Sequence, residues 1–304
     1  MIKLKHIVTL LLTFLVIPIE VNAVHIHTLN GPPSAFRIER DGQKLKKIAP
    51  FKPLQANDQI TIRKPSHDFA HIKIKENSIT LILDDGSFKT LKHADTQKKP
   101  YTVGAPSESP SVLSGIMNAI SAWFNRLWRN DIQSVQFHIQ GGSTRTISLS
   151  IRLFKGNNAK LIAANRELHL AWYGGTPPYQ IQVSQIETKK ILWNKKNLAT
   201  PEIHLEKQPI THGRYQVIVT DAQNQKVTGE FTATKTPHLF QHPEAQTIEQ
   251  SNLPTASKKT LLAAWLTKQE KGAWRFEAYQ WVAGITGYYP AQLLKQGIEI
   301  GKRP

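Results

Sequence analysis

Between residues 24 and 235 of this 304-residue chain, short runs alternate between apolar and polar residues: AFRIER, DQITIRK, AHIKIKE and SITLILDD, then ELHLAWYG, YQIQVSQIE, EIHLE and RYQVIVTDA. A period of two sends successive side chains to opposite faces of a strand, so each run can bury one face and wet the other. The same runs wound as helices would scatter their apolar residues around the axis. Turn formers punctuate the first block at Asp41-Gly42, Asn57-Asp58, Pro65-Ser66 and Asp85-Gly86. The pattern therefore predicts two mainly β units, 24–103 and 131–235. With no cysteine in the chain, burial alone has to hold them together.

The stretch ahead of the first run is of another kind. Residues 1–23 read MIKLKHIVTLLLTFLVIPIEVNA, with Lys3 and Lys5 before an apolar run from Ile7 to Ile19. Val21-Asn22-Ala23 then supplies a cleavage site. This order predicts a secretory signal peptide removed after Ala23, leaving Val24 first. The run is shorter than the ~20 apolar residues of a membrane span. The expected location is the periplasm or the outside of the cell.

Net charge narrows the partners. The chain carries +17, and +16 once Lys3, Lys5 and Glu20 leave with the leader. Such a surface is attracted to polyanions, which outside the cytoplasm are anionic lipids, lipopolysaccharide, teichoic acids and acidic glycans. A dispersed lysine-rich surface that only confers solubility is the alternative. No nucleic-acid partner is expected.

Two stretches resemble known families. Leu54-Gln55-Ala56-Asn57-Asp58-Gln59-Ile60, Ala70-His71-Ile72-Lys73-Ile74 and Leu83-Asp84-Asp85-Gly86-Ser87 with Leu91 resemble the FecR-like periplasmic domain. Asn57 stands where that family usually has glycine, and Asn enters the left-handed region more readily than most residues. The resemblance implies a sensing or scaffolding module without catalytic residues. Farther on, Leu168 to Trp172, the turn Gly174-Gly175-Thr176-Pro177-Pro178-Tyr179 and the strand Gly213 to Ala222 resemble bacterial immunoglobulin-like domains of the PKD and adhesin-repeat kind. That implies a β-sandwich with Trp172 in the core and Tyr215 on the tyrosine-corner strand. Strands are expected at SVQFHIQ, RTISLSIRL, ILWN and TGEFTAT as well.

Helices complete the predicted fold, which is mainly β with helical segments. GAPSESPS (104–111) reads as a linker, and VLSGIMNAISAWFNRLWR (112–129) as an amphipathic helix with Ser111 as a cap. Linker and helix together occupy 104–130. The helix either packs on a neighbouring domain or docks on a membrane or partner through Trp123, Phe124, Arg126, Trp128 and Arg129. Residues 236–256, with Pro237, Pro243 and Pro254, read as a second linker. Residues 257–304 predict a helical hairpin, with Ser257 capping KKTLLAAWLTKQ and Pro290 opening the last helix.

Nothing in the chain names a reaction. It lacks a nucleophile elbow, a zinc-protease helix, a P-loop and a dinucleotide fingerprint. Among twelve histidines, His25-Ile26-His27 is the densest pair, and on a strand both rings face the same way, but a flexible end would bind metal only adventitiously. His67 and His71 sit in β-type sequence and His238 and His242 in the linker. No catalytic, cofactor or metal site is therefore expected, and the chain reads as a non-enzymatic binding, sensing or scaffold module for an envelope protein or an anionic polymer. The rival is a periplasmic hydrolase acting on cell-wall glycan or peptide through a site without a recognisable motif.

Overall fold

The computed structural model describes residues 24–46, 48–64, 76–83, 87–105, 113–121, 124, 148–154, 158–235 and 238–301. It is mainly β, with helices gathered at the C-terminal end. No helix among these residues is long and apolar enough to cross a membrane.

Two small antiparallel sheets build the first unit. One has the order β4-β1-β6-β7 and comprises β1 (Val24–Asn30), β4 (Pro53–Leu54), β6 (Ser78–Ile82) and β7 (Phe88–Lys92). The other has the order β3-β2-β5-β8, from β2 (Phe36–Arg40), β3 (Gln43–Lys44), β5 (Gln59–Ile62) and β8 (Tyr101–Thr102). The alternating residues Phe36, Ile38, Ile60, Ile62, Ile79 and Leu81 are buried, as their period requires. Asp41 and Gly42, between β2 and β3, both take positive φ (50° and 73°), the backbone that matches a two-residue turn to strand twist. Asn57 takes φ 69°, and next to it the buried Asp58 carboxylate accepts both Arg40 guanidinium bonds and the Gln55 N–H. Residues 70–75 of the run AHIKIKE and the Pro65-Ser66 and Asp85-Gly86 turns lie outside the described residues. A short helix, α1 (His93–Thr96), links β7 to β8.

The helix α2, described at 113–121 and 124, buries Ile116, Met117, Ile120 and Phe124. Their spacing of three and four residues lines one face, which lies on the first β unit. There Phe124 meets Phe51 edge to face at 5.0 Å between centroids. Phe51 takes φ 61°, unusual for a bulky side chain, and its N–H bonds the Ile26 carbonyl at 2.6 Å.

The second unit is a β-sandwich of a five-stranded and a two-stranded sheet. Its large sheet runs β12-β11-β14-β15-β9, from β9 (Lys160–Ile162), β11 (Tyr179–Gln185), β12 (Ile191–Leu198), β14 (Gly213–Thr220) and β15 (Lys226–Thr234). Facing it, β10 (Ala164–Ala171) pairs with β13 (Glu202–Ile210). Trp172 is buried, and Tyr215 stacks on Phe231 while donating its hydroxyl to the Thr211 carbonyl at 2.9 Å. The expected strand RTISLSIRL is not seen as such. Its described part makes one bridge, Ser150 to Tyr173, then a 3-10 turn, Arg152–Phe154. The turn carries Phe154 inward against Phe231 and Phe276. Gly229 makes room for it, since a Cβ there would lie 2.2 Å from the Phe154 ring. SVQFHIQ lies outside the described residues.

The C-terminal part corrects two expectations. Residues 236–256 are not merely a linker: a 3-10 turn, His238–Gln241, leads into α3 (Pro243–Gln250). Pro243 opens this helix, where a missing N–H costs nothing, and the His242 ring accepts the Glu244 N–H. Ser257 is not the N-cap of the next helix, because α4 (Thr255–Leu266) begins two residues earlier and Ser257 is buried within it. Then follow α5 (Arg275–Ala283) and α6 (Tyr289–Glu299). The stretch from Thr260 to Leu266 is buried on every side, as expected of a helix apolar all round.

These helices join the two β units. On one side His27 of β1 meets Ser257 and Tyr288. On the other, α5 lies against β9 and β10. There Glu277, 1 % exposed, accepts the Ile162 N–H at 2.9 Å, Arg166 at 2.8 Å and the Trp281 indole N–H at 2.6 Å. A buried carboxylate needs such a full set of donors to offset its lost hydration.

Candidate functional site

Two constellations stand out among the described residues. The first is a cleft of about 790 Å³ in the helical part, between the Phe240 turn, α3, α4 and α5. Phe240 and Trp281 stack in parallel at its side, 5.4 Å apart and 4° from coplanar. The indole is held in place from behind by Glu277. Lys258, Lys259 and Thr255 come from α4, and Gln246, Glu249 and Gln250 from α3. Lys258 Nζ donates to the Glu249 carbonyl at 2.7 Å, which places a cation at the α3 C-terminus, where the helix dipole favours one. The cleft thus combines a flat aromatic wall with amides, one carboxylate, one hydroxyl and two ammonium groups.

Gln280 also lines this cleft, and its amide reaches through to the second constellation. It accepts the His169 N–H at 2.8 Å and donates to the His169 carbonyl at 2.9 Å, as a neighbouring strand would. Both backbone groups of His169 therefore point away from β13. His169 and its partner His204 form the non-hydrogen-bonded kind of antiparallel pair, whose side chains approach most closely. Their rings stack 4.5 Å apart and 5° from parallel. Glu167, two residues before His169 and beside a register shift in β10, meets His204 Nε2 at 2.9 Å. Burial, with His204 alongside, pushes the His169 imidazole below its ordinary range, against the pull of Glu167. The unprotonated ring, which has a lone pair to offer, is thereby favoured. The ligating atoms of Glu167, His169 and His204 all lie within 4.8 Å of one another.

The residues singled out in the sequence fall elsewhere. Phe124 is fully buried against Phe51, so it does not present a membrane or partner surface; its aromatic face is consumed in joining α2 to the first β unit. Trp123, Arg126, Trp128 and Arg129 lie outside the described residues, as do His67 and His71. His25 and His27 belong to a central strand rather than a flexible end, and both are buried. His25 Nε2 lies 3.0 Å from Asn118 of α2. His238 meets Gln241, and His242 caps α3.

The Glu167–His169–His204 group was not singled out, although Glu167-Leu168-His169 carries a trace of it. Two ligating residues at a spacing of two share one strand face. What supplies His204 is the register of β10 on β13, across 35 residues of chain. The cleft leaves still less trace, because its walls come from a stretch read as linker and from two helices.

No protein family and no curated protein matches the chain. Among solved structures it is similar to CopC from Methylosinus trichosporium OB3b, at 23% identity over 27% of this chain and 88% of that one, with a TM-score of 0.21. It is also similar to the ZIG-8 IG1 homodimer, at 14% identity over 26% of this chain and 79% of that one, with a TM-score of 0.17.

Proposed function

We propose that this chain is a non-enzymatic binding protein of the cell envelope, exported by its leader, that captures an acidic glycan in the cleft between α3, α4 and α5. The FecR-like reading of the first β unit belongs to the same proposal, as a scaffold on which the helices rest. The observation that carries it is the pairing of the Phe240–Trp281 wall with Lys258 and Lys259 at the same opening. Sugar rings present C–H faces that lie on aromatic rings, and ammonium groups attract uronate, phosphate or sulfate substituents. The net charge of +17 favours the same class of partner over long range. A glycosidase would need two carboxyl groups facing each other across the bond, and among the described residues Glu249 is the single carboxylate on this lining.

The test is calorimetric titration with a hexuronate oligosaccharide and its neutral counterpart of equal length. The acidic chain is expected to bind more tightly, and added salt to weaken it. Trp281→Ala and Lys259→Gln should each cost up to about tenfold, near 1.4 kcal/mol. Equal binding of acidic and neutral chains, or indifference to both substitutions in a folded protein, would overturn the proposal. New reducing ends during incubation would favour a hydrolase instead.

A further inference from the structure

From the side chains that β10 and β13 bring together, we infer that Glu167, His169 and His204 form a binding site for a divalent transition-metal ion of the zinc class. Two imidazoles and one carboxylate are the donor set that suits borderline-soft ions and is poor for magnesium or calcium, which prefer all-oxygen shells. The spacing agrees with this. Zinc with ligands at about 2.0–2.2 Å holds its donor atoms roughly 3.3–3.6 Å apart. The three donors already lie within 4.8 Å of one another. Parallel rings aim their lone pairs side by side, so at least one ring must turn about its terminal torsion to converge on an ion. His204 and Glu167 are both exposed and have room to adjust.

His169 is the fixed member. Gln280 holds its backbone N–H and its carbonyl, and the ring is partly buried, so it has the least freedom of the three. Besides the neighbouring His204, the positive charges that act on this ring are Lys295 and Arg166. Each is engaged by acidic partners: Lys295 by Glu202 at 2.7 Å and Glu299 at 3.6 Å, and Arg166 by Glu277. Their repulsion of a bound cation is thereby reduced. Three protein ligands leave a fourth position for water or for a donor from another molecule, which is the open kind of site rather than the closed structural kind.

The experiment is titration of the purified protein with Zn²⁺ by calorimetry, with Mg²⁺ as the hard-cation control. One Zn²⁺ per chain is expected at this site, and no Mg²⁺. Removing a ligand by His204→Ala or His169→Ala should weaken that binding by at least about 10–100-fold. Glu167→Gln lies at the surface, where substitution leaves the fold intact, and should weaken it in the same direction. The double variant His238→Ala, His242→Ala should leave it unchanged. Zinc binding that survives His204→Ala and Glu167→Gln, or that disappears with His238 and His242, would overturn the inference. So would a wild-type protein that binds Zn²⁺ no better than Mg²⁺.

Discussion

Lowering the pH should loosen the junction between the first β unit and the C-terminal helices through one side chain. His27 of β1 points its Nε2 at the Ser257 hydroxyl, 2.6 Å away on α4, and at the Tyr288 hydroxyl, 3.1 Å away. Phe88 and Tyr288 enclose the ring at 4.9 and 5.3 Å between centroids. Burial pushes its pKa down from the ordinary 6.5 to about 4. The unfolded chain therefore takes up this proton first as the pH falls. The contribution of the neutral ring is fully present above pH 6.5 and is lost as the pH drops toward 4. A gap of about 2.5 pH units, from 6.5 to about 4, corresponds to about 3 kcal/mol. The assay is urea unfolding followed by tryptophan fluorescence at pH 7.5 and pH 4.5, for the wild type and for His27→Gln. Glutamine can bond where Nε2 does but does not titrate, and all other titrating groups are common to both proteins. The wild type should lose roughly 2–3 kcal/mol more than the variant over this interval. Equal losses would refute the reasoning, because they would mean that this imidazole is not held neutral by the junction.

Other substitutions test how the parts are joined. Phe124→Ala removes a fully buried ring from its contact with Phe51 and should destabilise the protein by about 3–5 kcal/mol in thermal or urea unfolding; unchanged melting would return this residue to an exposed surface. Glu277→Ala strands Arg166, the Ile162 N–H and the Trp281 indole at once. It should cost about 3 kcal/mol and, in hydrogen exchange, expose the β9–α5 seam ahead of the sandwich core; uniform exposure would show that the carboxylate is not what docks the helix.

Much of the fold was legible in short stretches of sequence. The alternation in FRIER, SITLI and YQIQVSQ determined which side chains face a core, because strand geometry allows no other division. Asp41-Gly42 and Asn57 marked backbones with positive φ that few residues adopt cheaply. Breakdowns came where a side chain answered to distant partners. Proline-rich 236–256 reads as linker because proline ends a helix from within, yet Pro243 can equally begin one, and packing of Ala245 and Ile248 decided between the two. Ser257 looks like a cap by its position, but its hydroxyl is used by a histidine 230 residues away. RTISLSIRL alternates well and still turns aside at Arg152–Phe154, since Phe154 gains more by filling the space above Gly229.

By itself, then, the sequence determined the β class, the inward faces of the described strands, the turns at Asp41-Gly42 and Asn57-Asp58 and the presence of C-terminal helices, all of which depend on a handful of neighbouring residues. Tertiary structure alone decided that those helices stand between the two β units, that Phe124 is interior, that Phe240 and Trp281 share a wall, and that His204 comes to lie beside His169. The physical reason is one of range. Periodicity and turn chemistry act over a few residues, whereas these contacts depend on strand register and on shape complementarity between surfaces from 35 residues (His169 to His204) to 230 residues (His27 to Ser257) apart in the chain, where no local preference of the backbone extends.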